Sequence, residues 1–251
     1  MPQTLQSRDV LPPPMKVDIA VAVGNSALFQ GVDTKDLAEI VAAAVPRKLL
    51  RGGMLFQQGS DPAELYLLTE GWIKLTHVTR NGDQIALRFM QRGDHVGGAA
   101  LFRGTPFPAT ATAASDATLV TWKAQFIRDR IARSNVIAQN ALQLVGDRAD
   151  DFLSRIQELA SDPVEVRLAR HLMELVRTSD RRTERGVSIE FPISRQDLAE
   201  LCGTTLFTVS RILTRWRELG LVDPGRQGIV VRNAARLAEM TSERTSAEPP
   251  R

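Results

Sequence analysis

Between residues 136 and 160, apolar side chains recur at alternating steps of four and three: Ala138, Leu142, Val145, Ala149, Phe152, Ile156 and Leu159. That is the a/d seam of a coiled coil held over three heptads. A helix packed only on its own domain shows a wider, less regular apolar stripe. The pattern predicts one long helix that pairs with a second copy as a parallel homodimer. Asp162 and Pro163 end it, because proline lacks the amide hydrogen a continuing helix needs. Before the seam the period shortens. A helix is expected around residues 33–44, followed by short β-like runs at 54–56, 65–68, 73–78, 84–90, 109–114 and 118–122. Gly59, Gly71, Gly82, Gly93 and Gly97 punctuate these runs. Short strands separated by glycine turns argue for an antiparallel barrel or roll, and Asn81-Gly82 is a hairpin signal.

Beyond Pro163 the pattern is helical again. An amphipathic helix is expected over 164–176, then a charged loop at 181–186 and a strand at 187–191. Residues 193–213 read as a helix-turn-helix. The first helix spans 195–202, Gly203 makes the sharp turn, and Thr204 or Thr205 caps the second helix, which runs to about Leu219. Leu198, Ala199, Cys202, Val209 and Ile212 fall on inner faces. Thr205, Phe207, Thr208, Ser210, Arg211 and Arg215 are left on or near the outer face, where a recognition helix meets bases and phosphates. An ordinary helical hairpin is the plain alternative. Two short apolar runs around the Pro/Gly turn at 223–228 count against it, because a hairpin after the second helix makes a winged helix, with Arg226 in the wing.

Composition narrows the function. A chain of 251 residues with 43% hydrophobic and 24% charged residues suits two soluble domains. The net charge is +3, and residues 163–251 hold all of the excess, 15 Lys and Arg against 12 Asp and Glu. The basic half is thus the half with the helix-turn-helix, as phosphate contact requires. The single cysteine, Cys202, excludes an intrachain disulfide and a cysteine-ligated iron–sulfur cluster. A cytoplasmic protein is expected, with no signal peptide and no membrane span. Residues 1–24 (with Pro12, Pro13 and Pro14) read as a flexible extension. Residues 25–133 read as a β-roll sensor domain, 134–162 as dimerisation helix and hinge, 163–240 as the DNA-binding domain and 241–251 as a disordered tail.

This order resembles the Crp–Fnr family, the transcription regulators related to the cAMP receptor protein and the fumarate–nitrate reductase regulator. The residues that carry the resemblance are Gly59, Leu65, Tyr66, Gly71, Gly82, Gly93, Asp94, Gly97, Leu101 and Phe102, together with residues 193–213 and 228–231. The resemblance implies an α+β architecture: a cyclic-nucleotide-binding-like antiparallel β-roll, a long coiled-coil dimerisation helix and a C-terminal winged helix-turn-helix. It implies a homodimer on a palindromic operator of double-stranded DNA, with RNA polymerase as a further partner. It places an effector pocket at Gly97, Gly98, Ala99, Leu101, Pro108, Ala109 and Phe152.

Two departures from the family change the expected signal. Cyclic-nucleotide members carry a ribose-binding Glu where this chain has Gly98, and an Arg–Ser pair on the phosphate where it has Pro108 and Ala109. A buried phosphate without its arginine loses a charge-assisted bond, so cyclic-nucleotide binding in the usual pose is not expected. Residues 101–111 and 204–211 resemble instead the family's denitrification regulators, thought to sense nitric oxide, some through haem. Of His77, His95 and His171, each weighed against an ordinary structural role, His95 is the best candidate haem ligand. The resemblance also sets Arg211 against a guanine in a TTG-like half-site. Phe207 stands where many relatives have a cytosine-reading Glu. Effector binding would shift the coiled coil and the hinge at Asp162-Pro163. A constitutive regulator of the same family is the alternative. An enzyme is not expected: a cupin-like metalloenzyme needs a His and carboxylate cluster that the chain does not show.

Overall fold

The computed structural model describes residues 18–177, 182–183, 186–189, 193–225 and 228–242. Most of the N-terminal extension, half of the charged loop at 181–186, Arg226 and the last nine residues lie outside the described residues.

The extension ends earlier than its composition suggests. Asp18 accepts from the amides of Ala20 and Val21 and starts helix α1 (Ile19–Gly24), whose Val23 is fully buried. A 3-10 turn (Ala27–Phe29) and helix α2 (Thr34–Ala42, capped by Asp33) follow. The roll is two four-stranded antiparallel sheets. One has the order β1 (Val45–Leu49), β8 (Ala117–Lys123), β3 (Glu64–Glu70) and β6 (His95–Val96). The other has β2 (Met54–Phe56), β7 (Thr110–Ala113), β4 (Ile73–Val78) and β5 (Gln84–Met90). The β4–β5 hairpin turns at Asn81-Gly82, with Val78 opposite Gln84. Helix α3 (Gly98–Arg103) sits between β6 and β7, and α4 (Ala124–Arg133) follows β8. The sequence pattern does not predict β1, β6, α3 or α4; β1, β6 and α3 are six residues or fewer, too short to show a period. That layer packs Leu28, Phe29, Ile40 and Ile127 against Leu65, Val120 and Trp122, and the Trp122 indole donates to the Ile40 carbonyl at 2.8 Å.

The long helix α5 (Asn135–Ser161) starts on Ser134, whose hydroxyl accepts from the Ile137 amide, and stops at Asp162. Asp162 is extended, the conformation a following proline favours. Ile137 and Ala141 bury the first turns of α5 against the roll. Further along, Leu142, Phe152, Leu153, Ile156 and Leu159 are all exposed, five large apolar side chains on one helix.

Helix α6 (Val164–Arg177) opens the C-terminal domain. Short strands β9 (Arg182–Thr183) and β10 (Gly186–Ser188) precede the helix pair α7 (Arg195–Cys202) and α8 (Leu206–Glu218). The wing, β11 (Val222–Pro224) and β12 (Ile229–Val231), joins them in a sheet of order β11-β12-β10-β9. Helix α9 (Ala234–Ser242) then packs on α6, and it takes in the first two residues of the stretch read as a tail. The core of this domain gathers Leu168, Leu172, Leu198, Leu213, Trp216 and Leu237, and it also takes in two residues of the roll, Trp72 and Ala86.

Candidate nucleic-acid interface and effector cavity

The reading helix is built by local chemistry. Ser194 and Asp197 form a reciprocal capping box at the start of α7: the Ser194 hydroxyl accepts from the Asp197 amide, and the Asp197 carboxylate accepts from the Ser194 amide. Gly203 ends α7 in the left-handed conformation (φ 58°, ψ 47°). A Cβ there would lie 2.8 Å from Leu159 of α5. Thr205 caps α8, its hydroxyl accepting from the Thr208 amide at 3.2 Å. Leu198, Ala199, Cys202, Val209 and Ile212 are buried between the helices, so the outward face is defined by elimination.

On that face Thr205, Phe207 and Arg211 are exposed, with Phe207 retaining 75% of its surface, and Thr208 and Ser210 are half-buried. Phe207 therefore does not pack inward. Arg215 is exposed as well, and it also has a partner within the domain. Its guanidinium is engaged by Glu165 of α6, which also accepts from the Trp216 indole at 2.7 Å. Arg215 thus braces α8 on α6 while its side chain stays exposed on the outer side of α8. Burial opposes ionisation of Glu165, but its bonds to Arg215 and Trp216 prevail and hold its pKa below the usual range. The Cys202 thiol is pushed up to about 12 by burial.

A cavity of about 490 Å³ lies where the roll, α5 and α6 meet. Six of the seven expected pocket residues line it: Gly97, Gly98, Ala99, Pro108, Ala109 and Phe152. Leu101 does not. It faces the roll interior and is 1% exposed, because α3 turns it inward against the helical layer. The walls include aromatic groups that the sequence reading does not assign to the pocket. Phe56 and Phe107 stack with ring centroids 3.7 Å apart. Phe102 occupies the space into which a side chain at position 98 would project, 3.2 Å from the Cβ built there. The polar rim is internally paired: Arg88 and Arg148 both bond Asp151, at 2.9 and 2.8 Å.

The three histidines differ. His77 Nδ1 bonds the Pro108 carbonyl at 2.8 Å, and His171 pairs with Glu174 at 3.4 Å. His95 lines the cavity, packs edge-on to Phe29, and neither of its buried ring nitrogens has a hydrogen-bond partner. Burial pushes its pKa down to about 4, so at neutral pH it is an uncharged imidazole. Among the described residues no cluster of three or more His, Cys, Asp or Glu is placed to hold a metal ion.

Along α5, Leu142, Ala149, Phe152 and Ile156 of the expected seam are exposed on one stripe, joined by Leu153. Ala138 and Val145 are half-buried, Val145 facing the cavity. Leu159 also reaches the Gly203 turn. No described helix is long and apolar enough to cross a membrane.

Comparison with known proteins agrees with this anatomy. Residues 46–134 match the cyclic nucleotide-binding domain family, and residues 166–240 match the Crp-like helix-turn-helix domain family. The CRP-like cAMP-activated global transcriptional regulator of Mycobacterium tuberculosis is 21% identical over 86% of this chain and 96% of its own. The fumarate and nitrate reduction regulatory protein of Vibrio cholerae is 26% identical over 77% of each chain. The structure of FixK2 from Bradyrhizobium japonicum superposes with a TM-score of 0.70, at 21% identity, covering 79% of this chain and 98% of that one. A roll of the nucleotide-binding type, a long helix and a Crp-like helix-turn-helix in this order make the chain a DNA-binding transcription regulator of the Crp/Fnr family, and not an enzyme.

Proposed function

We propose that the protein acts in the cytoplasm as a homodimer that reads a palindromic operator and answers to an effector held in the roll cavity. The observation that carries this reading is the pair of exposed surfaces on one protomer: the apolar stripe of α5 and the polar outer face of α8. A stripe pairing with its own copy sets two α8 helices about 34 Å apart, the spacing of successive major-groove faces. Arg211, exposed one turn beyond Phe207, pairs with a guanine of a TTG-like half-site, and Phe207 meets a thymine methyl. RNA polymerase is the further partner such a regulator serves. Replacing Arg211 by Ala is expected to cost about 1–3 kcal/mol of operator binding and to relax preference at one base pair. Selection of bound DNA from a random pool checks it; an unchanged preference would place Arg211 outside the reading face.

For the signal, the cavity argues against a cyclic nucleotide in the family's usual pose. Pro108 and Ala109 offer no cation, and Phe102 fills the space beside Gly98. His95 is the candidate haem ligand, a neutral imidazole in the cavity lining with no hydrogen-bond partner; both ring nitrogens are enclosed in this conformation, so ligation requires the ring to turn toward the cavity. Were haem bound there, His95 would be the residue to supply its nitrogen ligand, the cavity lining would orient the group, and the chemistry supplied would be reversible binding of nitric oxide. Titrating the purified protein with haem is expected to give a saturable Soret shift, and His95→Leu is expected to abolish it. No shift with the wild type removes haem. An unchanged shift in His95→Leu removes His95 as its ligand. Operator affinity that stays constant with haem and nitric oxide favours the constitutive variant.

A further inference from the structure

The DNA-binding domain is attached to the roll by more than its chain connection at Asp162-Pro163. Helix α7 lies against β5. Trp72, at the start of β4, is 5% exposed and belongs to the buried cluster of the C-terminal domain. Next to it, the Lys74 ammonium sits 2.5 Å from Asp197 and 2.9 Å from Glu200, both on α7. From the other side Arg155 of α5 donates to two carbonyls, Ala86 on the roll at 3.1 Å and Leu201 at the end of α7 at 2.5 Å. Burial works against the Lys74 charge, yet the two carboxylates more than offset it and hold its pKa above the ordinary lysine value. Among the described residues, these contacts fall on the side of α7 that faces the roll, while Thr205, Phe207 and Arg211 stay exposed.

We propose that Lys74, a residue of the sensor domain, is a positioning residue for DNA recognition: its ion pair with Asp197 and Glu200 docks the helix-turn-helix on its own roll with the reading face presented. The proposal rests on the DNA-reading role assigned above. A domain held only by the Asp162-Pro163 connection samples many orientations, and a palindrome accepts few of them. Docking removes that ordering cost before DNA arrives, so apparent affinity scales with the docked fraction. The docking surface is also continuous with the effector cavity, since Trp72, Arg155 and Leu201 line both. A molecule in the cavity therefore lies beside the docking surface, against Trp72, Arg155 and Leu201, although Lys74, Asp197 and Glu200 themselves do not line the cavity.

The test uses the full-length protein and its three tryptophans. Trp122 and Trp216 are 1% and 0% exposed inside their own domains, whereas Trp72 is buried between domains. Lys74→Glu is expected to shift Trp72 emission to the red and to lower operator affinity about tenfold, the loss of roughly 1.4 kcal/mol of docking. The order of preference among operator sequences is expected to stay the same. The double variant Lys74→Glu with Glu200→Lys restores an opposite-charge pair and is expected to recover both readouts. Arg80→Glu, the same charge change at an exposed position near the β4–β5 turn, is expected to move neither by as much. The proposal is overturned by unshifted emission in Lys74→Glu, by an affinity loss that the double variant does not recover, or by an equal loss in Arg80→Glu. A wild-type protein with no operator preference would sink the DNA-reading role instead, with docking still read from the emission.

Discussion

Ile156→Glu is expected to convert the protein to monomers and to lower operator affinity about 100-fold, the advantage that linking two reading modules confers. Ile156 is 63% exposed on the protomer, so its replacement leaves the protomer's own core intact. In a paired α5 the same position lies in the seam, where two carboxylates would face each other without water or a counter-ion, at a cost of several kcal/mol. The stripe from Leu142 to Ile156 spans about four helical turns, or ~21 Å, enough for a specific parallel pair. Sedimentation equilibrium measures the first effect and gel shift on a palindrome the second. Monomers that still bind the full palindrome with wild-type affinity would disconnect the stripe from DNA reading. A dimer that survives Ile156→Glu would place the interface elsewhere.

Gly71→Ala is expected to destabilise the roll by about 3 kcal/mol, against about 1 kcal/mol for Gly59→Ala. Both glycines are left-handed, with φ of 82° and 83°, so both substitutions incur the conformational penalty. They differ in what a Cβ would meet. At Gly59 there is nothing within 4 Å; at Gly71 the Asp116 carbonyl oxygen lies 2.2 Å away and the Ala117 Cα 2.8 Å away. Backbone cannot rotate aside as a side chain can, so the β3–β4 turn must part from the strand start at Ala117. Denaturant unfolding of the two variants measures the difference. The same turn aims Trp72 and Lys74 at the C-terminal domain, so Gly71→Ala should also redden tryptophan emission.

What the sequence made legible follows from the range of the interactions involved. The helix-turn-helix was readable nearly residue by residue, because capping by Ser194 and Thr205 and the turn at Gly203 are local chemistry. The strands 73–78 and 84–90 were readable because Asn81-Gly82 fixes their register. Helix α3 was not, since its six residues between two glycines carry no helical period of their own. Leu101 was assigned to the pocket by analogy, and the direction in which α3 turns it is a tertiary matter. Arg215 resembled any exposed cation on a recognition helix, and its partner Glu165 lies 50 positions earlier. Lys74 had no signal at all: a lysine in an alternating strand reads as a solvent-facing residue, and only the folded chain brings Asp197 and Glu200 to it.

Cys202 has a consequence for the chemistry of nitrosative stress. Nitric oxide and its oxidation products modify cysteines through the thiolate, and a thiol with a pKa of about 12 is almost entirely protonated in a cell. The side chain is also fully enclosed between α7 and its neighbours. The only thiol in the chain is therefore withheld from S-nitrosylation and sulfenic acid formation, although it sits one residue from the turn that sets the recognition helix. The helix-turn-helix of this chain is thus built around a thiol that burial keeps unreactive.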